Sequence, residues 1–231
     1  MLASALIAHA RRHLVEPAAF YWTQDELLQH LNLGVKDLWR AICDNFQDYF
    51  FAIDETVTMT AGALTLGNVP ANVAKVEALE AIGRHVLFSP RGYAHHEMAA
   101  ARAAAGVEPD ALRQVFYAIT GAGGPIGAPT IHVAPKTTAD LTVRLIYLPT
   151  VPALTLTPTD SPNPIPGESD DALLNWIVAH ALAREREDRK PDPDWLTKYA
   201  TEKANILTFL TPRQNDEPDV VEGLHEPWIA S

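Results

Sequence analysis

The sequence predicts an α+β protein: a helical bundle of about four helices, two N-terminal and two C-terminal, with an inserted β-rich domain and an extended C-terminal tail. Three observations carry that expectation. Apolar residues recur at helical spacing in two stretches near each end of the chain. Between them, from Phe50, the period changes to that of strands broken by turn residues. A run of prolines then separates the last strand from the third bundle helix. The expected divisions are N-terminal bundle helices over 1–49, a β-rich insert over 50–163, C-terminal bundle helices over 164–211 and an extended tail over 212–231.

The first helix spans Leu2–Val15, where Leu2, Leu6, Ala10 and Leu14 fall at fourfold spacing, and Pro17 ends it. His9 and His13 have the i, i+4 spacing of a metal pair. With no third ligand and arginines beside them, a solvated helix face is the favoured reading. Thr23 and Glu26 form a capping box at the start of the second helix, bracketed by Trp22 and Leu27 at the positions of a hydrophobic staple. Leu27, Leu28, Leu31, Val35, Leu38, Trp39, Ile42 and Phe46 continue one stripe. Asn32, at the stripe's edge, either ties neighbouring backbone together or faces solvent. Cys43 has acidic neighbours and nothing to activate it, so a packed or half-exposed thiol is expected.

In the middle of the chain, Val57 and Met59 alternate with threonines, Ala61-Gly62 marks a turn, and Leu64 and Leu66 resume an extended run. Val73, Val76 and Leu79, then Val86-Leu87-Phe88, add strands, and Tyr93–Ala105 reads as a short alanine-rich helix. The trio His95-His96-Glu97 invites a metal reading, but adjacent helical residues point about 100° apart and share an ion poorly. Strands follow over Val115–Ile119 and Ile131–Val133, with a glycine-rich connection between them. That connection, carrying Gly121, Gly123, Gly124, Pro125, Ile126 and Gly127, lacks both the Lys-Ser/Thr pair and the following helix that a phosphate loop needs. It is expected to be a hairpin tip that meets a neighbouring subunit or a tail protein.

Leu141, Val143, Leu145 and Tyr147 alternate as a half-buried strand. Prolines 149, 152, 158, 162, 164 and 166 then force an extended ramp. Ser169 is the expected N-cap of the next helix, with Asp170 and Asp171 in its first turn and Leu173, Leu174, Ile177, Val178, Ala181 and Leu182 on one stripe. Asp192 and Pro193 open the last helix, whose stripe runs Leu196, Tyr199, Lys203, Ile206, Leu207, Leu210. Past Pro212 the chain is acidic, with Asp216, Glu217, Asp219, Glu222 and Glu226, and carries Leu224, Trp228 and Ile229 as isolated apolar anchors.

The net charge of −11 argues against a protein that wraps nucleic acid by neutralising phosphates. The single cysteine excludes an internal disulfide and any multi-cysteine zinc site, and suits a reducing cytosol. No apolar run reaches bilayer-spanning length, and the arginines at 11 and 12 follow the first apolar stretch, the reverse of a signal peptide's order. No nucleophile with a partner and no acid/base pair can be named from spacing; the histidines His95, His96, His132 and His180 are all that an enzyme, read as a His-dependent metalloenzyme, would have to use. No catalytic residue, metal or cofactor is therefore assigned.

Arg11-Arg12-His13-Leu14, Trp22 to Leu28, Leu31-Asn32, Tyr117-Ala118-Ile119, Ile131-His132-Val133-Ala134-Pro135 and Leu141 to Tyr147 occur in an order and spacing that resembles the head–tail adaptor (head completion, tail-tubular-like) proteins of tailed bacteriophages. The likeness covers about positions 6–210, and the glycine-rich connection is longer than usual. The resemblance implies a structural virion protein without enzymatic activity, assembled in the host cytoplasm. Its place is the neck, as a ring, commonly a dodecamer, between portal and tail or nozzle proteins. DNA passes through such a ring without specific binding, and no membrane is involved. For a portal contact the sequence offers Leu224, Glu226, Pro227, Trp228 and Ile229. The competing expectation is another neck or tail assembly protein, such as a tail terminator or connector.

Overall fold

The computed structural model describes residues 1–16, 21–46, 49–121, 129–165 and 168–210. They are α+β, but the expected four-helix bundle with one inserted β-rich domain is not what forms. Among the described residues there are five helices and two sheets, the strands curling around a common core. The chain resolves into two compact units, Met1–Phe46 with the residues from Leu154 onward, and Gln47–Ala153.

The helical unit contains α1 (Ala3–His13), α2 (Gln24–Asn45), α4 (Ser169–Leu182) and α5 (Pro193–Leu210). The four do not share the load as bundle corners. Ser169, Ala172, Leu173, Ile177, Val178, Ala179 and Ala181 of α4 are all buried, a set that runs around the helix rather than along one stripe. Accordingly α4 packs on α1, α2 and α5 as a central helix. By contrast α5 buries only Tyr199 and Ile206. The stripe expected on α4 missed this because Ala172 and Ala179 carry little apolar weight in a sequence.

The capping box of α2 forms: Glu26 N donates to Thr23 Oγ1 at 3.2 Å, and Thr23 N donates to the Glu26 carboxylate at 2.8 Å. Ahead of it, the Glu16 carboxylate accepts from Tyr21 N and from Trp22 N, and the buried Arg11 guanidinium donates to Trp22 O at 2.9 Å. Trp22 itself is buried and donates its indole N–H to Ala181 O at 3.0 Å, tying the start of α2 to the end of α4. Ser169 is not the N-cap it was expected to be. It lies inside the first turn, fully buried, where Asn163 Nδ2 donates to its Oγ at 2.8 Å and to Asp170 Oδ1 at 2.7 Å. The cap of α5 does come from Asp192, whose Oδ1 accepts from Asp194 N and Trp195 N at 3.1 and 3.2 Å.

The extended ramp is anchored rather than loose. Asn32 accepts from Leu154 N at 2.7 Å and donates to Leu154 O at 3.1 Å, a two-point clasp that resolves the alternative left open by the sequence. Ala3 N donates to Ser161 O at 2.9 Å, and Leu154 and Ile165 are buried. Extended chain whose polar groups are met this way needs no sheet of its own.

The second unit has β1 (Ala52–Met59), β2 (Leu66–Gly67), β3 (Val73–Ala81), β4 (Leu87–Pro90), α3 (His96–Ala103), β5 (Gln114–Thr120), β6 (Thr130–Ala134) and β7 (Leu141–Pro149). One sheet has the order β2-β1-β7-β3 and the other β4-β5-β6. The alternation of β7 buries Leu141, Val143, Leu145 and Tyr147 between its two antiparallel neighbours. Bulges on both sides of β7 increase the local twist. A bridge between Thr65 and His132, with Val133 N donating to Leu64 O at 2.9 Å, joins the sheets beside β2. Met59, Val76, Leu79, Val115, Ile131, Val143 and Leu145 meet in one core. Strands β4 and β5 are parallel, a pairing that requires a crossover, and α3 supplies it.

Candidate assembly surfaces

The strand pair β5–β6 of the second unit is braced by pairing along its length and by α3. Antiparallel pairing runs from Phe116–Ala134 to Thr120–Thr130, and Gly121 leaves the strand exposed with φ +76°, a conformation suited to glycine. Gly123, Gly124, Pro125, Ile126 and Gly127 lie outside the described residues. Helix α3 covers one face of the β5–β6 pair, burying Met98 against Ala118 and Ala134. Thr120 Oγ1 and His132 Nε2 are in hydrogen-bond contact at 2.9 Å. The His132 ring meets Tyr93 edge-on at 4.5 Å, and the Arg102 guanidinium lies over the other ring at 4.2 Å. Burial, and then the Arg102 charge, hold the His132 imidazole below its ordinary pKa. Its ring packs on Tyr93 and hydrogen-bonds Thr120 within the hairpin. Tyr93 and Arg102 were not singled out in the sequence, since only the β4–α3–β5 crossover brings them to the hairpin.

His95 caps α3, accepting from Glu97 N at 3.4 Å, while Arg91 holds the Glu97 carboxylate at 2.7 Å. That hydrogen bond keeps Glu97 below the usual carboxylate range. Among the described residues no three His, Cys, Asp or Glu side chains converge as a metal site. A surface groove of about 390 Å³ is lined by Arg84, His85, Arg113, Pro109, Asp110 and Leu112. Arg84 pairs with Asp110 at 3.1 Å, and the lining holds cations but no nucleophile. Burial, then Asp44, push the Cys43 thiol up, so it is not activated.

The helical unit holds a second histidine cluster. His180 Nδ1 donates to Trp176 O at 2.9 Å, its ring stacks on Trp176 at 4.1 Å, and His30 lies 5.8 Å away. A side chain at Gly34 would come within 2.8 Å of Trp176 Cδ1, so glycine is what allows α2 and α4 to approach here. Trp176 also meets the Tyr199 ring at 4.9 Å. The Tyr199 hydroxyl donates to Asp37, which Lys203 approaches at 2.7 Å. Burial raises Asp37, but the hydrogen bonds from Lys203 and Tyr199 outweigh it and the net shift is downward. Tyr199 is pushed well above the ordinary phenol range, first by burial and then by Asp37.

Burial, reinforced by His180 and opposed by Glu26, lowers the His30 pKa below 6.5. Its buried Nδ1 has no described partner. The folded state therefore resists a proton that the unfolded chain accepts. The stability held by neutral His30 is complete above pH 6.5 and is lost as pH falls through the lower folded value. We expect the denaturation midpoint to fall between neutrality and the onset of carboxylate titration, and His30→Gln to flatten that part of the profile. An unchanged slope in the variant would assign the loss to other groups.

Helix α5 ends at Leu210, after the largely exposed Phe209. Leu224, Glu226, Pro227, Trp228 and Ile229, the residues the sequence offers for a portal contact, lie outside the described residues. No helix among the described residues is long and apolar enough to cross a membrane.

Compared with known families, residues 1–221 match the family model described as SU10 adaptor protein. No curated protein matches the chain.

Proposed function

The chain belongs to the SU10 adaptor protein family and is a structural adaptor of a bacteriophage virion; on that premise we propose that it forms a ring between portal and tail. The carrying observation is a family match that spans both units rather than one element. Family membership places the protein in the head–tail region, with portal or head and tail proteins as its partners, in a family that is structural rather than enzymatic. The finer reading is a closed ring of about twelve copies, a head-to-tail arrangement that rotation can close. Tail or nozzle protein docks on one side and portal on the other, and DNA travels through without being held. A surplus of 29 acidic over 18 basic residues favours such passage, because carboxylates repel phosphates where clustered cations would retain them.

In this reading two segments make the contacts. The glycine-rich tip that starts at Gly121 meets a neighbouring subunit or a tail protein. Replacing 121–129 by a two-residue turn is expected to leave the melting temperature unchanged and to reduce the yield of tailed particles. Normal yields with normal tails would count against the contact. The C-terminal segment, through Leu224, Glu226, Pro227, Trp228 and Ile229, docks on portal.

The ring itself is tested by light scattering. The isolated protein is expected to be monomeric or weakly associated and to form its ring on a portal template, since subunit contacts of modest, polar-rimmed character do not close a ring unaided. A tight ring at nanomolar concentration without portal would contradict this.

A further inference from the structure

The exposed face of α2 carries a surface that neither the core nor the family match accounts for. Leu33 is 51% exposed in mid-helix, and Lys36 and Arg40 follow it at i+3 and i+7, both exposed and on the same side of the helix. Among the described residues Lys36 has no hydrogen-bond or ion-pair partner, and Arg40 only lends its charge to Asp37. Most other described arginines do pair, including Arg84, Arg91, Arg144 and Arg184. On a chain of net charge −11, two exposed cations with no direct hydrogen bond or ion pair among the described residues, beside an exposed leucine, are conspicuous. Asp44, one turn beyond Arg40, is exposed and marks the acidic end of the face.

We propose that this face, Leu33, Lys36 and Arg40, seats the acidic first half of the chain's own C-terminal segment, around Asp216, Glu217 and Asp219, and so aims the portal-binding residues beyond it. Two observations choose that occupant. The first is charge: residues 213–231 contain five carboxylate side chains against one arginine, so the segment complements Lys36 and Arg40. The second is where the described chain ends. Helix α5 meets α2 at Asp37, between Lys36 and Arg40 in sequence, through Tyr199 and through Lys203 at 2.7 Å. Leu210 ends the helix seven residues past Lys203, about 10 Å further along its axis. The six residues from there to Asp216 can span about 20 Å, enough to return to the face. Leu33 would then be covered by apolar residues among the acids, such as Val220 or Val221.

The proposal rests on the portal reading only for its consequence, not for the contact itself. Cys43, the chain's single cysteine, lies half-exposed one turn past Arg40 and allows a direct test. The full-length protein is labelled there with a maleimide-benzophenone at mildly alkaline pH, because the thiol is pushed up, and irradiated when dilute and without portal. Crosslinked peptides are then mapped by mass spectrometry. Intramolecular crosslinks into 213–222 are expected. They should fall by about an order of magnitude in Lys36→Glu/Arg40→Glu and in about 1 M salt, where charges are screened beyond a few ångströms. Should the double reversal not fold, Lys36→Gln/Arg40→Gln takes its place. No crosslinks into 211–231, crosslinks only between chains, or crosslinks indifferent to both charge and salt would each overturn the proposal. Portal binding by the same unlabelled proteins is measured separately. Crosslinking without portal binding leaves the seat standing and removes the portal reading. Portal binding without crosslinking does the reverse.

Discussion

Leu173→Ala should lower the unfolding free energy by about 2–5 kcal/mol, the largest stability loss expected from one substitution in this chain. Leu173 is fully buried on α4, the helix that α1, α2 and α5 all pack against. Its Cδ2 lies 3.3 Å from where a side chain at Gly34 would begin, so it fills the close approach of α2 and α4. Truncation opens a cavity where several elements converge, and collapse of any one of them cannot fill it. For a chain of this size the loss corresponds to a fall in melting temperature of roughly 5–15 °C. Gln29→Ala, at an exposed position of α2, is the control, with a change within about 0.5 kcal/mol. Denaturant titration followed by circular dichroism reads both. Equal effects in the two variants would show that α4 is not the centre of the helical unit.

Trp228→Ala should weaken portal binding by one to two orders of magnitude, about 1.5–3 kcal/mol, while leaving the melting temperature where it is. Trp228 follows Pro227 and precedes Ile229 in an otherwise acidic segment. A tryptophan anchor offers a large apolar area with little rotamer freedom to lose on binding. Pro212, two residues past the end of α5, has no backbone N–H to donate. Ending the chain after Thr211 should abolish portal binding and preserve the helical circular dichroism. Undiminished binding by the shortened chain would move the portal contact elsewhere.

Local signals were well written in the sequence and partner choice was not. The Thr23–Glu26 box, the Asp192–Pro193 start of α5 and the alternation of β7 depend on residues close in sequence, and all three formed. Asn32 was undecidable because its partner, Leu154, is 122 residues away. The parallel pairing of β4 with β5 left no trace in periodicity, which encodes a strand's faces but not its neighbour's direction. Ser169 had the right chemistry for a cap, yet Asn163 reaches it first and draws it into the helix. The bundle was misjudged for a related reason. Alanines on α4 gain their meaning from the helices that press on them, so a helix buried all round read as a helix with one apolar stripe. Of the tail-, subunit- and portal-contact residues expected from the sequence, only Gly121 is among those described, and it has a positive φ.

Electron microscopy of purified portal, imaged with and without this protein, tests the ring-adaptor account most directly. The account predicts an added ring of density seated on one end of the portal, with portal symmetry and an open axial channel. Portal particles unchanged by saturating protein, or density that plugs the channel, would contradict it.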